Sequence, residues 1–174
     1  HHLPTSVRTT MASVTFERKD ITTVTNGVVV HGCNCQGVMG SGVALAVRNK
    51  WPTVYTQYLD VVRNWSTEEF GPLLGYAQVI KVYEDLLIGD KWSSLFVVNA
   101  FTQQHYGKDG RKYASIEAIE KSLRYTMQEC YQLELPLYMP LIGCGLGGLT
   151  QAEVMPVVQQ LSQECDVDVI VCTV

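Results

Sequence analysis

The chain has 174 residues, 47% of them hydrophobic, and a formal net charge of −4. A single domain of that length buries about 70% of its unfolded surface, and no apolar run here approaches the roughly 20 residues that a membrane-spanning helix needs. The acidic balance excludes a protein that coats nucleic acid through a basic face, so an anionic ligand has to be held by local backbone dipoles.

Residues 1–10, opening on His1-His2, read as the remnant of an affinity tag and its linker, with Met11 as the natural start and 11–174 as one domain. No signal peptide follows Met11. The six cysteines, at 33, 35, 130, 144, 165 and 172, show no compact framework spacing, which predicts reduced thiols in a cytoplasmic or nucleocytoplasmic, non-secreted protein. Strands are predicted at 14–18 and 27–32, then a helix over 42–50. Trp51-Pro52 breaks it, because a residue before proline is pushed out of the α region, and a second helical piece runs over 53–65. Half-buried alternation at 76–83 and an apolar run at 94–100 read as strands, with the charged segment 84–92 between them as a turn of hairpin character.

A helix is predicted over 115–133, capped by Ser115, with Ile116, Ile119, Leu123, Met127 and Cys130 on one face. A strand follows at 137–142. Thr150 and Glu153 form a capping-box pair ahead of an apolar face of Val154, Val157, Val158 and Leu161. Pro156 then requires that the regular helix begin later than the box or that it kink. Residues 167–174 close the chain as a buried strand. The pattern β-β-α-β-β-α-β-α-β gives an α/β fold: a mixed central sheet of about six strands with helices on both faces, in three α/β/α layers.

Two glycine-rich loops carry the chemistry. The run Val28-Val29-Val30 empties through His31, Cys33 and Asn34 into Gly37-Val38-Met39-Gly40-Ser41-Gly42-Val43, which leads into a helix. Gly143-Cys144-Gly145-Leu146-Gly147-Gly148 follows another apolar strand in the same way. Glycines let backbone N–H groups approach a ligand, and helix starts attract anions, so each loop is a candidate phosphate cradle. Two cradles suit a ligand with two phosphates, or a phosphate beside a sugar. Asn34 carries a donor and an acceptor suited to ribose hydroxyls, or it is a turn residue. His31 is a candidate for proton transfer or attack on phosphorus, or it is a hydrogen-bonded core histidine. His31, Cys33 and Cys35 would share a face on a regular strand, but the loop interrupts it and no fourth ligand presents itself, so neither metal nor cofactor is expected. Trp51, Tyr55, Tyr58 and Trp65 read as helix-packing residues, since no basic residues interleave with them.

At four places the sequence resembles the macro domain family, the ADP-ribose-binding α/β module. Lys19-Asp20-Ile21-Thr22 resembles the family's Gly-Asp-Ile-Thr signature, His31–Ala44 its first ligand loop, Val98–Gln103 its adenosine-bordering strand end, and Pro140–Leu149 its diphosphate loop. The resemblance implies a ligand site of Asp20, Ile21, Asn34, Gly40, Ser41, Gly42, Val43, Phe101, Thr102, Ile142, Gly143, Cys144, Gly145, Leu146, Gly147 and Gly148. Asp20 would accept from the adenine amine, an assignment that suits an acceptor-only carboxylate; a turn aspartate is the alternative.

The Gly-Cys-Gly-Leu form and the histidine before the loop resemble the branch that holds ADP-ribose 1″-phosphate phosphatases and terminal ADP-ribose glycohydrolases. The glycohydrolases pair a lysine with an aspartate just after Gly-Cys-Gly-Leu. Here that position is Gly147, the strand end Asn99-Ala100-Phe101 has no lysine, and Lys108 and Lys112 lie further on in a loop. The resemblance therefore implies hydrolysis of ADP-ribose 1″-phosphate, with His31 and Asn34 as the catalytic residues. Removal of ADP-ribose from protein or nucleic acid and non-catalytic ADP-ribose reading are the alternatives, because one fold hosts all three. The expected partners are ADP-ribose, ADP-ribose 1″-phosphate or ADP-ribosylated macromolecules, and no membrane; a monomer is consistent with the sequence.

Overall fold

The computed structural model describes residue 8 and residues 10–174. Most of the stretch read as a tag remnant lies outside the described residues. Arg8, within that stretch, forms ion pairs with Asp166 and Asp168 at 2.9 and 2.7 Å.

Six strands form one mixed sheet: β1 (Val14–Arg18), β2 (Gly27–Asn34), β3 (Ala77–Ile88), β4 (Lys91–Gln103), β5 (Leu137–Met139) and β6 (Val169–Thr173), in the order β1-β6-β5-β2-β4-β3. All neighbours are parallel except the β3–β4 hairpin. Parallel strands need crossover helices, and these cover both faces. On one face, α4 (Ile116–Leu133) and α5 (Gln151–Cys165) pack Ile119, Leu123, Met127, Val154 and Val158 onto Val28, Val30 and Val98. On the other, α1 (Gly42–Lys50) and α2 (Pro52–Asn64) bring Val47 and Val54 against Val29, Val97 and Leu95. A short α3 (Thr67–Phe70) follows α2, a turn of helix that the sequence pattern did not predict.

The expected turn over 84–92 is mostly strand. β3 runs to Ile88 and β4 restarts at Lys91, so only Gly89 and Asp90 turn. Leu87 sits opposite Trp92 and Leu86 opposite Ser93. A register shift absorbs Asp85, whose φ is 54° and whose N–H donates to Ser94 Oγ at 3.0 Å. Cross-strand pairing outweighs the charges that suggested a loop. The predicted strand over 137–142 ends at Met139, since Pro140 has no N–H to give the ladder. Helix α5 starts at the capping box, with both reciprocal bonds of Thr150 and Glu153 present, and it continues through Pro156. The proline is exposed, and the carbonyl it deprives of a helix partner belongs to Ala152, which is itself exposed and so open to solvent.

Candidate active site

Strand β2 lies at the centre of the parallel ladder, between β5 and β4. The chain leaves it toward α1 and α2 on one face, whereas β4 is followed by α4 on the other. In an open α/β sheet a crevice opens at the carboxyl ends of strands where such connections diverge. Here a cleft of about 500 Å³ lies at that place. Gly32, Cys33 and Asn34 at the end of β2 line it, with Thr102 and Gln103 from the end of β4. Gly40, Ser41, Gly42, Val43 and Ala44 form one wall, and Ile142, Gly143, Cys144, Leu146 and Gly147 form the facing one. Gly32 is required at the base: a Cβ there would lie 2.7 Å from Thr102 Oγ1 and 3.2 Å from Ile142 Cγ1.

The first wall contains the start of α1. Its N-cap, Ser41, makes no side-chain capping bond and its first turn has no acidic residue, so the opening N–H groups of the helix are available to an anion at the cleft. Side chains hold the loop leading to it. The Tyr58 hydroxyl accepts from Gly37 N and Val38 N, both at 3.1 Å, and its proton goes to Asn34 O or Oδ1, both at 2.7 Å. Asn34 Oδ1 also accepts from Gln36 N at 3.0 Å, closing an Asx turn, and its Nδ2 donates to Val38 O at 2.8 Å. One N–H of Asn34 stays without a partner among the described residues and is available to a ligand hydroxyl.

Backbone bonds hold the second wall: Cys144 N to Leu141 O, Gly148 N to Gly145 O, and Leu149 N to Gly143 O, at 3.0–3.1 Å. Gly143 and Gly148 have φ of 78° and 83°. A Cβ on Gly148 would meet Arg111 O at 2.5 Å, so glycine is needed there on both counts.

Of the residues singled out in the sequence, the structure gathers Asn34, Gly40, Ser41, Gly42, Val43, Thr102, Ile142, Gly143, Cys144, Leu146 and Gly147 around the cleft. Six others do not line it. Asp20 is the N-cap of a short 3-10 turn, its Oδ1 accepting from Thr22 N and Oγ1, and these bonds lower its pKa. Ile21 packs into the core on the α1–α2 side, and Phe101 is buried against Tyr58 and Tyr76. Gly145 and Gly148 shape the second loop from behind.

His31 is the main departure from expectation. Alternation along β2 turns it toward α2, in register with Asn99, and it has no exposed surface. Its Nε2 lies 2.6 Å from Asn99 Oδ1. Asn99 Nδ2 donates to Val54 O and Gln78 Oε1, so Asn99 Oδ1 is the acceptor and the network places the histidine proton on Nε2. Burial pushes the His31 pKa down to about 4, so the ring is neutral near pH 7. A side chain that does not reach the cleft cannot attack a ligand or exchange a proton with it. The structure thus places His31 off the cleft, beside Cys33, where the alternative of a hydrogen-bonded core histidine puts it.

Burial raises the Cys33 pKa well above its ordinary value and raises that of Cys144, so both cleft thiols stay protonated and are poor nucleophiles. Among the described residues, no three His, Cys, Asp or Glu side chains are placed to hold a metal ion. No helix among them is long and apolar enough to cross a membrane. Gln103 and Lys108, named in the sequence but not as site residues, also line the cleft, as do Tyr106 and Gly107, which sequence reasoning passed over. The available signal was the eleven-residue interval between the β4 strand end and the Ser115 cap, longer than most connections.

The Macro domain family model matches residues 30–158. The chain belongs to the macro domain family. It is 32% identical over 130 residues to the DNA ADP-ribosyl transferase–DNA ADP-ribosyl glycohydrolase fusion protein of Thermosipho africanus, a match covering 71% of this chain and 32% of that protein. It is 26% identical to an ADP-ribose 1″-phosphate phosphatase of Meyerozyma guilliermondii, over 56% of this chain and 54% of that one. The chain thus spans about a third to a half of these relatives' lengths. Among solved structures, the macrodomain of Mycobacterium tuberculosis DarG superposes with a TM-score of 0.70 at 21% identity, over 94% of this chain and 99% of that one.

Proposed function

We propose that the cleft binds ADP-ribose derivatives and that the protein hydrolyses ADP-ribose 1″-phosphate to ADP-ribose and phosphate. The observation that carries the reading is that an uncapped helix start and a glycine-built backbone loop line one cleft. That arrangement cradles a diphosphate without the bulk positive charge that this chain lacks. Relatives named as ADP-ribose 1″-phosphate phosphatases support the choice of substrate.

In the reaction, a water oxygen bonds to the terminal phosphorus and the bond from phosphorus to the 1″ oxygen breaks. That oxygen leaves with a proton as the sugar hydroxyl, and the water's oxygen remains on the released phosphate. No carboxylate or imidazole lines the cleft among the described residues, so catalysis rests on positioning and on backbone N–H groups that meet developing charge. Asn34 orients the distal ribose through its remaining N–H. His31 acts as a positioning residue: its bond to Asn99 keeps the end of β2 in register beneath Cys33 and Asn34.

A second reading, removal of ADP-ribose from a macromolecule, is favoured by the glycohydrolase fusion relative, whose match covers the larger part of this chain. Turnover assays with ADP-ribose 1″-phosphate, a mono-ADP-ribosylated protein and an ADP-ribosylated DNA separate the two. Phosphate release from the first alone supports the proposal. Release of ADP-ribose from either macromolecule without phosphatase activity favours the second reading, and binding of ADP-ribose with no turnover makes the domain a reader.

A further inference from the structure

The segment between β4 and α4 forms a third wall of the cleft. Its ends meet, since Gln103 and Ala114 bridge across it, so residues 104–113 make a closed loop. Both glycine loops hold it. Gln36 Nε2 donates to Gln104 O at 2.9 Å on one side, and Tyr113 N and Ala114 N donate to Gly147 O at 2.9 and 3.0 Å on the other. Within the loop, Tyr113 donates its hydroxyl to Asp109 at 2.8 Å. A loop anchored at both flanks presents its remaining side chains to the cleft from a fixed base.

The loop carries three cations, and the structure treats them differently. Arg111 pairs with Asp109 at 3.1 Å, and Lys112 pairs with Glu153 at 3.0 Å. Lys108 lines the cleft and has no carboxylate partner among the described residues. It is also the one charged side chain among the described residues that line the cleft. In a chain of net charge −4, one cation without a carboxylate partner among the described residues borders the ligand space. Backbone N–H groups of the two glycine walls already suffice for a diphosphate. The ammonium is therefore surplus to plain ADP-ribose, and a flexible lysine is well suited to a further phosphate as a movable point charge.

We infer that Lys108 is a specificity-determining residue that binds a phosphate on the 1″ carbon, and so distinguishes the phosphorylated ligand from ADP-ribose. The inference rests on the proposed ADP-ribose reading of the cleft and adds the group that selects among derivatives. Because Lys108 is exposed, the expected preference is modest, about fivefold to tenfold in Kd.

The test compares ADP-ribose with the 1″-phosphonate analogue, in which a methylene replaces the bridging oxygen so that turnover cannot consume the probe. Calorimetry is run on the wild type, Lys108→Gln, Lys108→Arg and the already paired control Lys112→Gln. The inference predicts tighter binding of the phosphonate by the wild type, a preference that shrinks with added salt. Lys108→Gln should lose the preference, its affinity for the phosphonate falling more than its affinity for ADP-ribose, whereas Lys108→Arg and Lys112→Gln retain it. A wild type that binds both ligands equally, or a Lys108→Gln variant that keeps the preference, overturns the role of Lys108 while the ADP-ribose reading stands. A wild type that binds neither ligand overturns both.

Discussion

The two glycine loops face each other across one cleft, yet they are held by different means. The first, around residues 35–42, is fixed by side chains: Asn34 ties down Gln36 and Val38, and Tyr58 reaches from α2 to take the N–H groups of Gly37 and Val38. The second, residues 143–148, is fixed by its own backbone and by Gly148, where a Cβ would run into the backbone of Arg111 and Lys112. Equivalent ligand surfaces therefore have different vulnerabilities. The second loop breaks when Gly148 gains a methyl group, and the first breaks through a residue 20 positions away that never enters the cleft.

The sharpest way to break the comparison is Gly148→Ala. The added carbon would sit 2.5 Å from Arg111 O with φ at 83°, so backbone must move. Strain and lost contacts should cost about 3 kcal/mol in urea unfolding, and ADP-ribose affinity should fall at least tenfold. An alanine variant of wild-type stability and affinity would show that the second loop adapts.

The network behind β2 gives the next effect. The His31 pKa drops from its ordinary 6.5 to about 4 on folding because burial penalises the charged ring. The unfolded chain then binds a proton more readily than the folded one between those values. This contribution to stability is complete above pH 6.5 and is lost progressively as pH falls to about 4, amounting to about 3 kcal/mol. His31→Gln keeps a donor for Asn99 but cannot titrate, so its stability should fall less than that of the wild type over the same range. Parallel pH profiles from urea unfolding would contradict the buried, neutral histidine.

The smallest effect concerns the first loop. Tyr58→Phe keeps the ring stacked on Phe101 at 5.5 Å but leaves Gly37 N without its acceptor and Val38 N with Asn34 Oδ1 alone, at 3.4 Å. The expected cost is about 1–3 kcal/mol, with hydrogen exchange at both amides faster than in the wild type. Unchanged protection at Gly37 and Val38 would mean that Asn34 alone holds the loop.

The same contrast explains what was legible in the sequence. The second loop announces itself because its structure is local: glycines at 143, 145 and 148 take positive φ, and Pro140 marks where the strand stops. The helices at 42–50 and 116–133, and the capping box at Thr150, were readable for the same reason. Tyr58 was read only as packing, since a hydroxyl bonding 20 residues back leaves no trace in periodicity. His31 was read as either a catalytic candidate or a core histidine, because its position at a strand end drew attention to the loop. The alternation of Val29 and His31 already put it on the helix-covered face. Of the ion pairs that occupy Arg111 and Lys112, the first is local, to Asp109, but the second, to Glu153, is tertiary and invisible to spacing.

The central claim is that an ADP-ribose derivative lies between the two loops, against the start of α1. Titration calorimetry of ADP-ribose into the wild type and Gly42→Glu tests it most directly. A Cβ at Gly42 meets nothing within 4 Å, so the glutamate is tolerated apart from the cost of its positive φ, and its carboxylate occupies the anion site. The account predicts wild-type binding in the micromolar range, about −8 kcal/mol, and loss of at least tenfold in a Gly42→Glu protein with the circular dichroism of the wild type. No heat from the wild type, or equal affinity in a folded Gly42→Glu variant, would contradict it.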